Sequence, residues 1–156
     1  MYQTILVPLD GSKRAEAILG HVESIAKSNN AKVFFLKVEE EPIMLERDEI
    51  IDIAKYHKAF DKQNKLSQAY LDNLQARFHE KGIYAVTQLA FGSVVKAILN
   101  KATETGANLI AMATHGLSGL ARVSYGSVAA GVLQAADIPI LLIRSCNDKN
   151  EETCGS

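Results

Sequence analysis

Residues 3–12 read QTILVPLDGS. Gln3 to Leu9 is a short run rich in β-formers and nearly all apolar, so it reads as a strand buried on both faces. Asp10-Gly11 then turns the chain. Ser12 offers a hydroxyl that accepts a backbone N–H bond in the first turn of a helix. Ala15, Ile18, Leu19, Val22, Ile25 and Ala26 follow at helical spacing, with one face inward. The opening of the chain is therefore one unit of buried strand, turn and amphipathic helix.

The same unit recurs downstream. Asn29 and Asn30 are helix-stop residues, and Ala31 to Val38 (AKVFFLKV) is a second strand. Residues 39–52 are acidic, with Glu39, Glu40, Glu41, Glu46, Asp48, Glu49 and Asp52, and Pro42 breaks the strand. From Lys58 to Lys81 the ladder Leu66, Tyr70, Leu74, Phe78 keeps one helix face apolar, and Gly82 closes it. Residues 43–57 either begin that helix or form a loop with a short helix of its own. Ile83 to Phe91 is a third strand. Gly92-Ser93 starts a helix with Val95, Ile98, Leu99 and Ala102 on one face, and Gly106 ends it. Asn108 to Ala113 is a fourth strand, Thr114 to Tyr125 a loop, and Gly126-Ser127 the start of a last helix with Val128, Val132, Leu133 and Ala136 inward. Pro139 to Ile143 is a fifth strand. Residues 1–145 thus form one domain, and residues 146–156 read as a disordered polar tail.

Strands apolar on both faces, alternating with amphipathic helices, predict a parallel sheet covered on both sides. Ligands of such sheets bind at the carboxyl ends of the strands, where the strand order reverses. That directs attention to Asp10-Gly11-Ser12, Val38-Glu39, Gly92-Ser93 and residues 114–127.

Composition narrows the classes. A chain of 156 residues, 47% hydrophobic, builds one core without a disulfide or metal staple. Net charge −1 gives no support to nucleic-acid binding through bulk charge. No apolar run of membrane-spanning length occurs, and Met1-Tyr2-Gln3-Thr4 lacks the marks of a signal peptide. Cys146 and Cys154 are too few for a disulfide framework and have no zinc-spaced partners. The expectation is a cytoplasmic protein without membrane or nucleic-acid partners.

Several strand-end chemistries fail on their motifs. There is no GxxxxGK[ST] phosphate loop, no GxGxxG after the first strand, and no GxSxG at residues 125–129. A receiver domain needs an Asp ending the third strand and a Lys ending the fifth; Phe91-Gly92 and Arg144 stand there. His21, His57 and His79 fall among polar helix residues and read as surface. His115 lies in the candidate loop, but no carboxylate stands at a fixed offset to orient it as a base.

The loop itself is richer. Small residues at Ala113, Gly116 and Gly126 allow close backbone approach. The free N–H groups at the start of the last helix favour an anion, with Ser127 adding a hydroxyl. The alternative is a tight turn with a helix cap. Asp10 likewise either shapes its own turn or accepts from ribose hydroxyls, as acidic residues do in other nucleotide folds.

Over residues 2–144 the chain resembles the universal stress protein family. ILVPLDGS (Ile5 to Ser12) is similar to that family's first strand and nucleotide loop. Met112 to Ile143 (MATHGLSGLARVSYGSVAAGVLQAADIPILLI) is similar to its signature. The family's ATP-binding pattern is Gly, two residues, Gly, nine residues, Gly, then Ser or Thr; here it falls on Ala113, Gly116, Gly126 and Ser127. The resemblance implies a Rossmann-like, adenine nucleotide alpha hydrolase-like fold: three layers, with five parallel strands in the order 3-2-1-4-5. It implies an adenine nucleotide such as ATP, with magnesium. Asp10 would take the ribose, and the Val38 backbone the adenine. Pro8 and Leu9 would line the base pocket, and Gly116, Gly126, Ser127 and the Val128 N–H would hold phosphates. It also implies a homodimer through the fifth strand (Pro139 to Ile143) and a role as stress-response regulator or switch; the alternatives are a nucleotide-free dimer that acts by protein contact and a slow ATPase. The pattern is broken at Ala113, which matters if φ > 0 is required there, and at Leu117, where many relatives carry Arg or Lys. Arg122 is the nearest later cation.

Overall fold

The computed structural model describes residues 1–40, 53–115 and 126–145. The elements run β1 (Thr4–Leu9), α1 (Lys13–Glu16), α2 (Leu19–Asn29), β2 (Lys32–Glu39), α3 (Ile53–Glu80), β3 (Ala85–Phe91), α4 (Val94–Thr105), β4 (Leu109–His115), α5 (Ser127–Ala135) and β5 (Ile140–Ser145). The five strands form one sheet in the order β3-β2-β1-β4-β5, every pairing parallel. The predicted order therefore stands.

Right-handed crossovers explain the layering. The chain steps from β1 outward to β3 with α1, α2 and α3 on one face. It then reverses to β4 and β5, which places α4 and α5 on the other. Two cores result. Ile5, Val7, Val33 and Phe35 pack with Val22, Leu71, Leu74 and Phe78 on the α2/α3 face. Leu6, Leu36, Ile110 and Met112 pack with Ile98, Ala102, Ala129 and Val132 on the α4/α5 face. The strand centres are apolar without alternation because successive residues serve different cores, as Ile5, Leu6 and Val7 do in β1.

Helix ends follow their residues. Ser12 Oγ accepts from Ala15 N at 3.2 Å and caps α1. The single helix expected after Ser12 is two: Ala17 and Ile18 bond to carbonyls three residues back, at 3.3 and 3.4 Å, and this tighter turn separates α1 from α2. Asn30 (φ 51) and Gly106 (φ 65) close α2 and α4 in the left-handed conformation. Behind them Ala31 N bonds Ala26 O, and Ala107 N bonds Ala102 O, satisfying carbonyls the helices leave open.

The long helix departs from its predicted face. Residues 53–57 belong to α3, where Tyr56 stacks on Phe60 at 6.3 Å and Phe60 meets Phe91 of β3 at 5.7 Å. Leu74 and Phe78 are buried as expected, but Leu66 is 58% exposed. The core-facing positions at that level are Ser67 and Leu71, because the i, i+4 ladder drifts around a 3.6-residue helix. Phe78 closes on Phe35 edge to face, 4.8 Å between ring centres.

β4 runs to His115 and β5 to Ser145, each two residues beyond its expected end. The polar tail at 146–156, with Cys146 and Cys154, lies outside the described residues, as do residues 41–52 of the acidic segment and residues 116–125 of the signature loop.

Candidate functional site

A cleft of about 580 Å³ opens at the carboxyl ends of the strands. It spans the point where β1 lies between β2 and β4, the place at which the strand order reverses. Its two sides differ in chemistry. Pro8, Leu36, Val38, Val94, Ile98, Met112, Val128 and Ala129 give it an apolar wall on the α4/α5 face. Asp10, Ser12, Arg14, Lys37, Glu39, Glu40 and Gln63 give it a polar wall toward α1 and α3.

Of the expected site residues, Pro8, Leu9, Asp10, Val38, Ala113, Gly126, Ser127 and Val128 all line this one cleft. They come from β1, β2, β4 and α5 and the residues flanking them, with Pro8 and Val128 more than a hundred residues apart in sequence. Gly116, Leu117 and Arg122 lie outside the described residues. His115 ends β4, paired in register with Ser145.

Asp10 shapes its turn. Its Oδ1 accepts from Ser12 N at 2.8 Å and from Ser12 Oγ at 2.5 Å, an Asx-turn geometry. The side chain is exposed and on the cleft lining, so the turn role leaves a carboxylate edge toward the opening.

Ala113 sits in β4, opposite Ile143 of β5. Asn30 is the one described non-glycine residue with positive φ. Ala113 therefore has no left-handed backbone, and alanine occupies the first position of the motif without backbone strain.

Gly126 is the N-cap of α5, with φ −53 and no side-chain cap hydrogen bond. Its own N–H is taken by Thr114 Oγ1 at 3.1 Å. Thr114 is buried, and its carbonyl accepts from Ser145 Oγ at 2.9 Å. That pair ties the helix start to the ends of β4 and β5. The next N–H groups, of Ser127, Val128 and Ala129, have no partner within the helix. The helix dipole makes their end partially positive.

Glu39, marked as a strand end in the sequence, lines the cleft together with Lys37, which the sequence reading does not single out. Lys37 is only 7% exposed. Its ammonium donates to Glu39 Oε1 and, at 2.9 Å, to Ser67 Oγ of α3; Ser67 in turn donates to Glu39 Oε1. Burial pushes the Glu39 carboxyl up, but the hydrogen bonds from Lys37 and Ser67 outweigh it and hold its pKa below the ordinary value. The signal available in sequence was slight: Lys37 and Glu39 are two apart on a strand and so share a face.

A sequence model of the universal stress protein family matches residues 1–144. The chain belongs to the universal stress protein family. Universal stress protein YxiE of Bacillus subtilis is 30% identical over 149 residues, covering 92% of this chain and all of that protein. Universal stress protein MJ0577 of Methanocaldococcus jannaschii is 26% identical, covering 94% and 98%. The solved structure of MJ0577 superposes with a TM-score of 0.78 over 94% of this chain and 99% of that one, at 24% identity. A universal stress protein solved in complex with cAMP superposes at 0.66 over 93% and 98%, at 23% identity. These likenesses show a Rossmann-like universal stress protein fold in this chain. Among the described residues, no helix is long and apolar enough to cross a membrane.

Proposed function

We propose that this universal stress protein binds an adenine nucleotide, ATP among them, and acts as a cytoplasmic stress-response regulator whose state follows occupancy. The observation that carries this is the uncapped start of α5 at Gly126–Ser127, lining the same cleft as Asp10 and an apolar wall. In this reading the base lies against Pro8, Leu9 and the Val38 backbone. The Asp10 carboxylate accepts from ribose hydroxyls. The N–H groups of Ser127 and Val128 and the Ser127 hydroxyl take phosphate oxygens. Ala113 keeps β4 clear of the ligand, and Gly116 supplies the remaining position of the motif. Magnesium enters with a triphosphate, as its counter-ion. The complex of a relative with cAMP supports the ligand class.

The chemistry suits a near-neutral protein. Backbone donors hold an anion without a cationic surface, which agrees with a net charge of −1. Isothermal titration against ATP, ADP, AMP and cAMP tests the reading. Heat of binding is expected for at least one ligand, and Gly126→Val should abolish it by filling the phosphate approach. No heat at protein concentrations near about 100 μM, the working limit for weak sites, would sink the proposal.

The same reading places a homodimer on β5. That strand is a sheet edge, and Ile140, Leu141, Leu142 and Ile143 are each only partly buried. An apolar edge with open backbone groups is a surface that pairs.

A further inference from the structure

Two chains of contacts lead from the Asp10–Ser12 turn to α3, each ending on a polar side chain of that helix, and the ligand reading uses neither. The first runs through β2. Lys37 is the partner of Leu9 across the parallel ladder. Its stem packs under the turn, since a Cβ built on Gly11 would lie 3.3 Å from Lys37 Cε. Its ammonium is bound by Glu39 and by Ser67 Oγ at 2.9 Å, and Ser67 is 2% exposed. The second tether runs through α1. Ser12 bonds Asp10 and caps α1. Glu16, at the end of α1, accepts from the Tyr70 hydroxyl at 3.2 Å, with Arg77 4.0 Å away.

Ser67 and Tyr70 are three residues apart, so they stand on one face of α3, one turn from each other. Both sides of the Asp10 turn therefore end on the same turn of the same helix. The adjoining face continues as Leu71, Leu74 and Phe78, all buried. Apolar contacts extended one turn further would hold the helix to the sheet equally well. What polar pairs add is direction: a hydroxyl aimed at Lys37 and another at Glu16 set the height and tilt of the turn between them.

We propose that Ser67 and Tyr70 are positioning residues for Asp10, so that discrimination for ribose hydroxyls depends on α3. The inference rests on the adenine-nucleotide reading. A carboxylate that accepts from a vicinal diol must be held to within about half an ångström of its place. Asp10 is an exposed side chain on a turn, and its own turn bonds fix only its relation to Ser12. The tethers fix the turn to the body of the protein.

The test compares binding of ATP and 2′,3′-dideoxy-ATP by titration calorimetry. The proteins are the wild type, Asp10→Asn, Ser67→Ala, Tyr70→Phe and, as a control on the exposed side of α3, Leu66→Ala. The wild type and Leu66→Ala should prefer ATP by about tenfold or more, the worth of a hydrogen bond to a charged acceptor. Asp10→Asn should lose the preference. Ser67→Ala and Tyr70→Phe should reduce it to less than about threefold, with dideoxy affinity nearly unchanged. A preference retained in both variants overturns the inference. So does an equal loss for both ligands, which marks general loosening. Tyr70→Phe keeps the ring and its packing, so it decides the matter if Ser67→Ala does not fold. A wild type that binds neither ligand overturns the nucleotide reading itself, and the inference with it.

Discussion

Gly11 holds its backbone at φ +88, and a Cβ there would press on Lys37 Cε at 3.3 Å. Gly11→Ala should therefore destabilise the fold by about 1 kcal/mol or more, from the left-handed backbone alone. Urea unfolding measures it, and an unchanged midpoint would show that the turn relaxes freely. Ala113 is the contrasting case. Its place in β4 opposite Ile143 gives it strand backbone, so the departure from the glycine pattern carries no backbone strain. Glu39 makes a pH prediction. Its folded pKa is lowered, so it contributes stability above the unfolded carboxylate value, about 4.3, and that contribution is lost as pH falls through the folded value. The gap in Tm between wild type and Glu39→Gln should be widest near neutral pH and should narrow below about pH 4. A gap constant with pH would mean that the Lys37–Glu39 pair adds no net charge stabilisation.

At the scale of elements, α5 meets α4 through Gly131. A Cβ on Gly131 would stand 2.8 Å from Val95 Cγ2. Alanine is the better helix former by about 1 kcal/mol, but forcing a methyl into a packed contact costs about 1–3 kcal/mol. Gly131→Ala should come out neutral to destabilising in thermal unfolding. A clear stabilisation would show that α4 and α5 separate at little cost. On α3 the buried Leu74 is the firmer anchor, and Leu74→Ala should cost about 2–5 kcal/mol. Leu66→Ala, at an exposed position, should change unfolding free energy by less than about 0.5 kcal/mol. The pair tests the face assignment directly. The expected ladder from Leu66 to Phe78 went wrong at its first rung because four-residue spacing overshoots the helix period. No residue type at position 67 signals that a serine there faces inward.

At the scale of the molecule, β3 and β5 are the two edges of the sheet. The proposal of a dimer through β5 predicts twice the chain mass by sedimentation velocity. A single species of chain mass at about 100 μM would remove it. The fold was legible because its signals are local and repeated. Buried strands such as residues 4–9 are apolar without alternation, helices begin at Ser12 and Gly126, and Asn30, Gly82 and Gly106 close three of them. Strand order and the residues of the cleft followed from the family pattern, since Asp10 and Ser127 meet only if β1 and β4 are neighbours. Pairings between helices and strands were not legible. Lys37 with Ser67 spans 30 residues and Tyr70 with Glu16 spans 54. Periodicity tells which face a residue takes, but not which polar group waits across it. The sequence by itself thus determined the alternation of elements, the parallel sheet and the strand ends at which a ligand would sit. The tertiary structure alone decided how Asp10 is tied to α3, because that depends on where two distant polar groups fall within hydrogen-bonding reach.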